Sequence, residues 1–294
     1  FVKENWTEQG LKIEHADAKE VEAVAYDMMI SGKDSAAVSV LRLWKTQNIH
    51  KFDMKTFSQG DYMRSMQEDN EAELISKVLY PDDNHFEGKS LRLKQQYLLV
   101  SAALQDIVAD HKRRYGSLDT LPDMAAIHIN DTHPALCIPE LMRILIDENG
   151  YSWESAWDIV TRTVAYTNHT VMSEALEKWS EDLIQRRLPR IYMILKEINQ
   201  RFCADMWNKF PGDWDKIERM SIFSHSQVRM ANLSVIASHH VNGVSALHSE
   251  IIKNSIFKDF NDVYPEKFTN VTNGIAHRRW LCQSNPELSA LLKD

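Results

Sequence analysis

The chain has 294 residues, 34.1 kDa, with 44% hydrophobic and 26% charged side chains, a formal charge of −8 at pH 7 and a mean hydropathy of −0.41. That length suffices for about two average domains or one large α/β domain with a buried core. The acidic balance offers no general field for nucleic acid, and the lack of an apolar run of membrane length excludes a spanning helix.

Three cysteines, Cys137, Cys203 and Cys282, lie far apart without CxxC spacing, so neither a disulfide framework nor a cysteine zinc site is suggested. The expectation is a soluble, cytoplasmic protein with free thiols and with neither nucleic acid nor membrane as partner. The sequence starts at Phe1 without Met, which reads as a piece of something longer.

In chain order, Val21–Asp27 and Ala36–Trp44 are β-rich runs separated by Ser31-Gly32-Lys33-Asp34-Ser35, a turn-forming cluster that predicts a hairpin. Asp61–Val78 reads as a helix whose middle, from Gln67 to Glu73, is polar apart from Ala72, suited to solvent or a partner subunit. A loop follows at Tyr80-Pro81-Asp82-Asp83-Asn84-His85-Phe86-Glu87-Gly88, then a long helix over Leu91–Ala109. Met124–Ile129 predicts a short buried strand, Glu140–Ile146 a helix entered through Pro134 and Pro139, Trp153–Thr161 a helix and Val164–Tyr166 a strand. Glu174–Trp179 predicts a further helix, Leu183–Phe210 one or two helices, and Val228–Ile236 another. A short strand over His239–Val244, a helix over Ala246–Ile252 and a final strand over Phe268–Val271 complete the pattern. Alternating strand-loop-helix units of this kind imply a parallel sheet of the open α/β kind.

Polar residues cluster at three strand ends, in Asn130-Asp131-Thr132-His133-Pro134, Tyr166-Thr167-Asn168-His169-Thr170 and Thr272-Asn273-Gly274. In open α/β sheets such ends face a ligand crevice, so the three segments are expected at one site. His128, Asp131, His133 and Glu140 are metal-ligating types, but His128 and His133 are five apart rather than the i, i+4 of a helical zinc pair. Ordinary hydrogen-bonding roles fit better, and Asp131 and His133 suit recognition of sugar hydroxyls. Glu174 and Glu177 lie near helical i, i+3 spacing, and two carboxylates on one helix face are not the opposed pair of a glycosidase. His239, His240 and His248 are read as core or packing histidines.

The segments LYPDDNHFEGKSLRLKQQY, HINDTHPALCIPELMR, AYTNHTVMSEALEKW, EINQRF, HHVNGV, IFKDF and NVTNGIAHRRW resemble the α-glucan phosphorylase family of glycogen, starch and maltodextrin phosphorylases. The likeness covers nearly the whole chain and is weaker in the first 75 residues, where AVAYDM and LRLWKT carry it. The resemblance implies a two-domain glycosyltransferase type B fold built on Rossmann-like open sheets, with residues 1–275 as part of the first, glucan-binding domain and 276–294 as the start of the cofactor domain. It implies a dimeric, allosteric parent enzyme that transfers glucose from the non-reducing end of an α-1,4-glucan to inorganic phosphate with retention, using pyridoxal 5′-phosphate. His169 and Asn273 match positions that hold the glucosyl residue at the catalytic subsite. Asp83, Asn84 and His85 match a gating loop in which the family often has an aromatic in place of His85. Arg92, Asp131, His133, Glu174 and Glu177 match positions lining the channel, Trp280 a residue near the cofactor, and Asp61–Val78 a helix of the subunit contact. The family's cofactor lysine and phosphate-binding Lys/Arg pair have no counterpart here, so the chain alone is expected to bind no cofactor and to be inactive. Ser173, where many members carry Pro, and His277 read as tolerated variation. The alternative is a non-catalytic carbohydrate-binding or regulatory module.

Overall fold

A computed structural model of the chain describes residues 1–7, 10–16, 18–32, 34–49 and 53–294. Two antiparallel hairpins come first: β1 (Val2–Thr7) with β2 (Gly10–His15), then β3 (Val21–Ser31) with β4 (Val38–Asn48), the latter in register from Val21↔Asn48 to Ser31↔Val38. The second hairpin is the one expected from the β-rich runs, a few residues longer in each strand. Short helices α1 (Met54–Ser58) and α2 (Tyr62–Ser65) lead into α3 (Gln67–Lys77), which packs on β4. The continuous helix expected over Asp61–Val78 is therefore interrupted at Met66. Asp61 starts the first piece by accepting the Arg64 amide, and Glu68 and Asp69 open the second, where carboxylates complement the helix dipole.

Helix α4 (Phe86–Tyr115) runs further than the predicted 91–109 at both ends. At its start the His85 imidazole accepts the Gly88 amide at 2.9 Å, and at its finish Gly116 adopts φ 79° behind Lys112, Arg113 and Arg114. Gly88 is required by close approach. A Cβ there would lie 1.7 Å from the Asp82 carbonyl oxygen, so the preceding loop folds tightly onto the first turn.

After a single turn, α5 (Leu121–Met124), come β5 (Ile127–Asn130), α6 (Cys137–Arg143) continued by a π-helical turn to Glu148, α7 (Trp153–Thr163) and β6 (Val164–Thr167). Residues 124–126 of the expected strand leave it because Pro122 nucleates α5. Pro139 sits in the first turn of α6, where no amide is needed. Beyond lie β7 (Lys178–Ser180), α8 (Glu181–Arg187), α9 (Pro189–Lys209), α10 (Trp214–Met220), β8 (Phe223–Ser224), β9 (Gln227–Arg229) and α11 (Met230–Ala237). The chain closes with β10 (Val241–Gly243), α12 (Ala246–Ile251) with a π-helical extension to Ile256, α13 (Lys258–Val263), β11 (Phe268–Asn270), α14 (His277–Ser284) and α15 (Pro286–Leu291).

Strands β11, β10, β6 and β5 form one parallel sheet in that order, joined by helical crossovers, as the α/β reading anticipated. Its core joins Leu93, Val100 and Leu104 of α4 to Ile138, Leu141 and Met142 of α6, with the Tyr166 and Phe257 rings edge to face behind the strands. The helix expected over Glu174–Trp179 is absent: Ser173–Ala175 makes one 3₁₀ turn and Lys178–Ser180 pairs antiparallel with β9. Sheet pairing wins because Trp179, opposite Val228, is buried only in the extended register. The same pairing takes Val228 and Arg229 from the helix expected over 228–236. Among the described residues no helix is long and apolar enough to cross a membrane.

Free thiols stand at Cys137, Cys203 and Cys282. Burial pushes the Cys137 thiol up to about 12, whereas Cys282 is exposed. Alkylation of the native chain at pH 8, mapped by peptide mass spectrometry, is expected to modify Cys282 and to spare Cys137 until denaturant is added.

Gly243, the last residue of β10, has no room for a side chain, since a Cβ would meet Ser249 Oγ at 2.6 Å and its backbone nitrogen at 2.8 Å. Gly243→Ala is expected to destabilise the chain by about 1–3 kcal/mol through overpacking. Gly274→Ala, where nothing lies within 4 Å, is expected to leave the denaturant midpoint close to that of the parent.

Candidate functional site

The carboxyl ends of β5, β6 and β10 are in register, Asn130 opposite Thr167 and Thr167 opposite Asn242, so three polar side chains form a row along one sheet edge. The Thr167 hydroxyl donates to Asn242 Oδ1 at 2.7 Å and lies 2.5 Å from His128 Nε2, which donates to it. His169, two residues beyond β6, returns to the row: its Nε2 is 2.6 Å from Asn130 Oδ1 and donates to it, leaving Nδ1 without a partner among the described residues.

Asp131 follows with φ 68°, a left-handed conformation that an Asx side chain tolerates. Its amide donates to the Thr167 carbonyl at 3.0 Å, extending the β5–β6 ladder by one bond. Its carboxylate accepts the Thr132 amide at 2.6 Å and faces His133 Nε2 at 4.0 Å. Asp131 and His133 thus stand together at the rim, both partly exposed.

Behind this rim a buried histidine bolts the strand ends together. His248 Nδ1 accepts the Val244 amide at 3.0 Å, which places the proton on Nε2, 3.2 Å from both Asn168 Oδ1 and the Thr170 carbonyl. The Asn168 amide donates to the Asn242 carbonyl, Val271 to Gly243 and Asn273 to Val244, so the segments carrying His169 and Asn273 are both fixed to the end of β10. Asn273 and His169 are exposed.

A second cluster joins the loop before α4 to the segment before β7. Arg92 donates one terminal nitrogen to Asp83 at 2.5 Å and the other to Glu177 at 2.7 Å, while its guanidinium lies 5.5 Å from the centre of the Trp179 ring. Gln96, one turn along α4, donates to the same Glu177 oxygen at 3.0 Å. The other Glu177 oxygen, Gln96 Oε1 and Trp179 Nε1 are buried without partners. Asn84 folds back, its amide donating to Asp82 at 3.0 Å, and His85 is the helix cap already described.

The structure therefore brings His169, Asp131 and His133 together with the Asn273 segment at one edge, and Asp83 and Glu177 together through Arg92. Glu174 is exposed and among the described residues its side chain accepts only from the neighbouring Ser173 hydroxyl, at 3.3 Å; it lies in the 3₁₀ turn and Glu177 beyond it, so the two do not share a helix face. Trp280 is 57% exposed on α14. No group of metal-ligating side chains forms among the described residues. Glu140, the fourth member of that set, is buried and saturated instead: Tyr97 and Ser101 donate to it and Arg143 binds it bidentately at 2.8 and 2.9 Å. Burial and that carboxylate raise the Tyr97 phenol above its ordinary range. Asn242, His248 and Gln96 were assigned no ligand-facing or supporting role from the sequence. His248 is the core histidine expected, but His239 and His240 are exposed and contact each other at 2.7 Å through Nδ1.

Residues 2–294 match the profile of the carbohydrate phosphorylases. The chain is 49% identical over 284 residues to the glycogen phosphorylase of Bacillus subtilis, an alignment covering 97% of this chain and 35% of that protein. It is 49% identical to the glycogen phosphorylase of Pasteurella multocida, over 96% of this chain and 35% of that protein. It is 47% identical to the muscle form of glycogen phosphorylase from Bos taurus, over 98% of this chain and 35% of that protein. The chain thus spans about a third of the length of these relatives, 35% in each.

Replacing Arg92 by Met is expected to strand the buried Glu177 carboxylate and to cost about 3–5 kcal/mol, read from denaturant unfolding. Adding Glu177→Gln to that variant is expected to restore most of the loss, since the uncompensated charge is then gone. Cleavage in the loop around Asp83 by a dilute protease is expected to accelerate in both variants, because neither retains the tie.

Proposed function

Because the chain belongs to the carbohydrate phosphorylase family, we propose that it forms the glucan-binding part of an α-glucan phosphorylase. The reaction of the whole enzyme is phosphorolysis at the non-reducing end of an α-1,4-glucan to α-D-glucose 1-phosphate, with retention. The observation that carries this reading is the 47–49% identity, over nearly all of this chain, to proteins named glycogen phosphorylase. Residues 1–275 then belong to the first domain and 276–294 open the cofactor domain.

In this reading His169 and Asn273 hold the terminal glucosyl residue, with His169 kept in place by Asn130 and free to accept a sugar hydroxyl at Nδ1. Asp131 and His133 offer an acceptor and a donor at the rim for further hydroxyls. Asp83, Asn84 and His85 form the gate, held by Arg92 and Glu177, and Glu174 lies on the channel side. A phosphorolytic site must keep water from an oxocarbenium-like glucosyl group, so a closable loop and a saturated sugar subsite matter more than a local base. The polar helices α2 and α3, with Met63 and Leu74 exposed, form the homodimer contact of the parent.

Pyridoxal phosphate belongs to the full-length enzymes of this family, and the residues present here do not fit an anchor for it. Lys267, whose ammonium is pulled down to about 8 by burial, already donates to the Val235 and Ile236 carbonyls at 3.2 and 3.0 Å. Trp280 supplies a flat face near the cofactor in this reading, but no charge. We place the anchor and the phosphate-binding cations of the parent outside this sequence.

The test is calorimetric titration with maltoheptaose together with a phosphorolysis assay and an absorbance scan for bound pyridoxal phosphate. Binding without release of glucose 1-phosphate is expected, and His169→Ala or Asn273→Ala should weaken binding about tenfold, the order of one or two lost hydrogen bonds. Turnover by the chain alone would refute the division of labour, and absence of maltoheptaose binding would refute the assigned subsite.

A further inference from the structure

A cleft of 470 Å³ lies between α10, the start of α11 and the stretch from Ser255 to Asp262, and none of its lining residues belongs to the strand-end site. Three cations, Arg219, Arg229 and Lys258, and two carboxylates, Asp259 and Asp262, line it. Both carboxylates are engaged. Arg219 binds Asp259 through two nitrogens at 2.7 and 3.2 Å, and Lys216 Nζ stands 3.6 Å from Asp262.

Neither Arg229 nor Lys258 is in an ion pair among the described residues. Arg229 donates Nε to the Ser221 carbonyl at 3.0 Å and one terminal nitrogen to the Ser221 hydroxyl at 2.8 Å and to the Glu218 carbonyl. All these acceptors are neutral, and among the described residues the other terminal nitrogen has no partner. Partial burial disfavours the Arg229 charge, with the Glu218 carboxylate opposing that effect only in part. Lys258 is exposed and has neither a hydrogen bond nor an ion pair among the described residues.

A half-buried guanidinium with no ion-pair partner leaves part of its desolvation uncompensated, and a fork of N–H donors that lines the same cleft as an ammonium matches the oxygens of a phosphate. The cleft volume falls within the roughly 300–1,000 Å³ of small-molecule sites. Its other polar groups are the Ser255 hydroxyl, the two carboxylates and the Asn232 side chain, whose amide nitrogen is already held by the Arg219 and Ser221 carbonyls at 3.0 and 2.9 Å. The one aromatic, Phe260, is buried and gives no ring face on which a base can stack. We propose that this cleft binds a small phosphate monoester with a hydroxylated, non-aromatic body, its phosphate held between Arg229 and Lys258.

Lysine acetylation of the full chain, read by peptide mass spectrometry, locates the ligand directly. Glucose 6-phosphate is expected to slow acetylation of Lys258 about tenfold when the site is about nine-tenths filled, while leaving Lys253 unchanged. Glucose and AMP are expected to give no protection. Arg229→Gln should abolish the effect, and because Arg229 also secures two backbone carbonyls, Ser255→Asp on the exposed lining provides a second variant expected to abolish it at an unchanged melting temperature. Unprotected Lys258, or protection by glucose or AMP equal to that by glucose 6-phosphate, would overturn the assignment. A His169→Ala chain impaired in glucan binding is expected to keep the protection, so this test and that of the glucan reading fail independently.

Discussion

Four parallel strands that end at one level impose the main constraint on this molecule, because they bring the side chains of distant segments onto a single edge and leave each needing a partner. The Thr167 hydroxyl stands at the centre of that edge. It accepts from His128 on one neighbouring strand and donates to Asn242 on the other, so the row from β5 to β10 is continuous through one oxygen. Polar groups that are fixed in this way before a ligand arrives lose little entropy when it binds. The same logic explains His248, which sits behind the row and whose single N–H and single lone pair are both used to tie the β6 loop to α12. Gly243 lets α12 approach closely enough for that bond to form.

The Arg92 cluster works on a different energetic footing. Glu177 is almost fully buried, and a carboxylate in that position is tolerable only with a cation and hydrogen-bond donors close by. Arg92 and Gln96 supply them from α4, a long helix anchored by Leu93 and Val100 in the core. Asp83, by contrast, is exposed, and its pairing with Arg92 is the kind of contact that water and salt can replace at small cost. One guanidinium therefore holds a permanent partner on one side and an exchangeable one on the other. That asymmetry would suit the gating role proposed for the loop of Asp83, with the segment carrying Glu177 staying in place.

How much of this was legible in the sequence follows from which forces decided each element. The hairpin of β3 and β4, the βαβ alternation and the strand ends at Asn130, Thr167 and Asn270 could be read because local pattern and tertiary context agree there. The segment from Glu174 to Trp179 was misread as a helix because its acidic residues and spacing favour one locally, while pairing with β9, which buries Trp179, decides otherwise. Glu140 drew attention as a metal ligand from its neighbours in sequence, although its true partners, Tyr97 and Ser101, come from α4, some 40 residues earlier. Asn242 and His248 carry no signal of their own: each matters only through the register of the sheet. The Gln96 contact with Glu177 spans 81 residues and is invisible to any periodicity.

The arrangement of donors also bears on what kind of chemistry this part of a phosphorylase performs. A general acid or base needs a proton that can leave or a lone pair aimed at the reacting atom. At the strand ends His169 has its N–H committed to Asn130 and Asp131 is capped by the Thr132 amide, and in the second cluster Glu177 is locked beneath Arg92, so each is held in place by a partner. What they retain is single lone pairs and rim carboxylate oxygens, sufficient to recognise hydroxyl groups and to orient a sugar ring. In the proposed reading, differential stabilisation of the transition state then comes from charge supplied from outside this sequence. Side chains fixed for holding rather than for proton transfer fit the proposal that the reacting phosphates of the parent enzyme are handled outside this sequence.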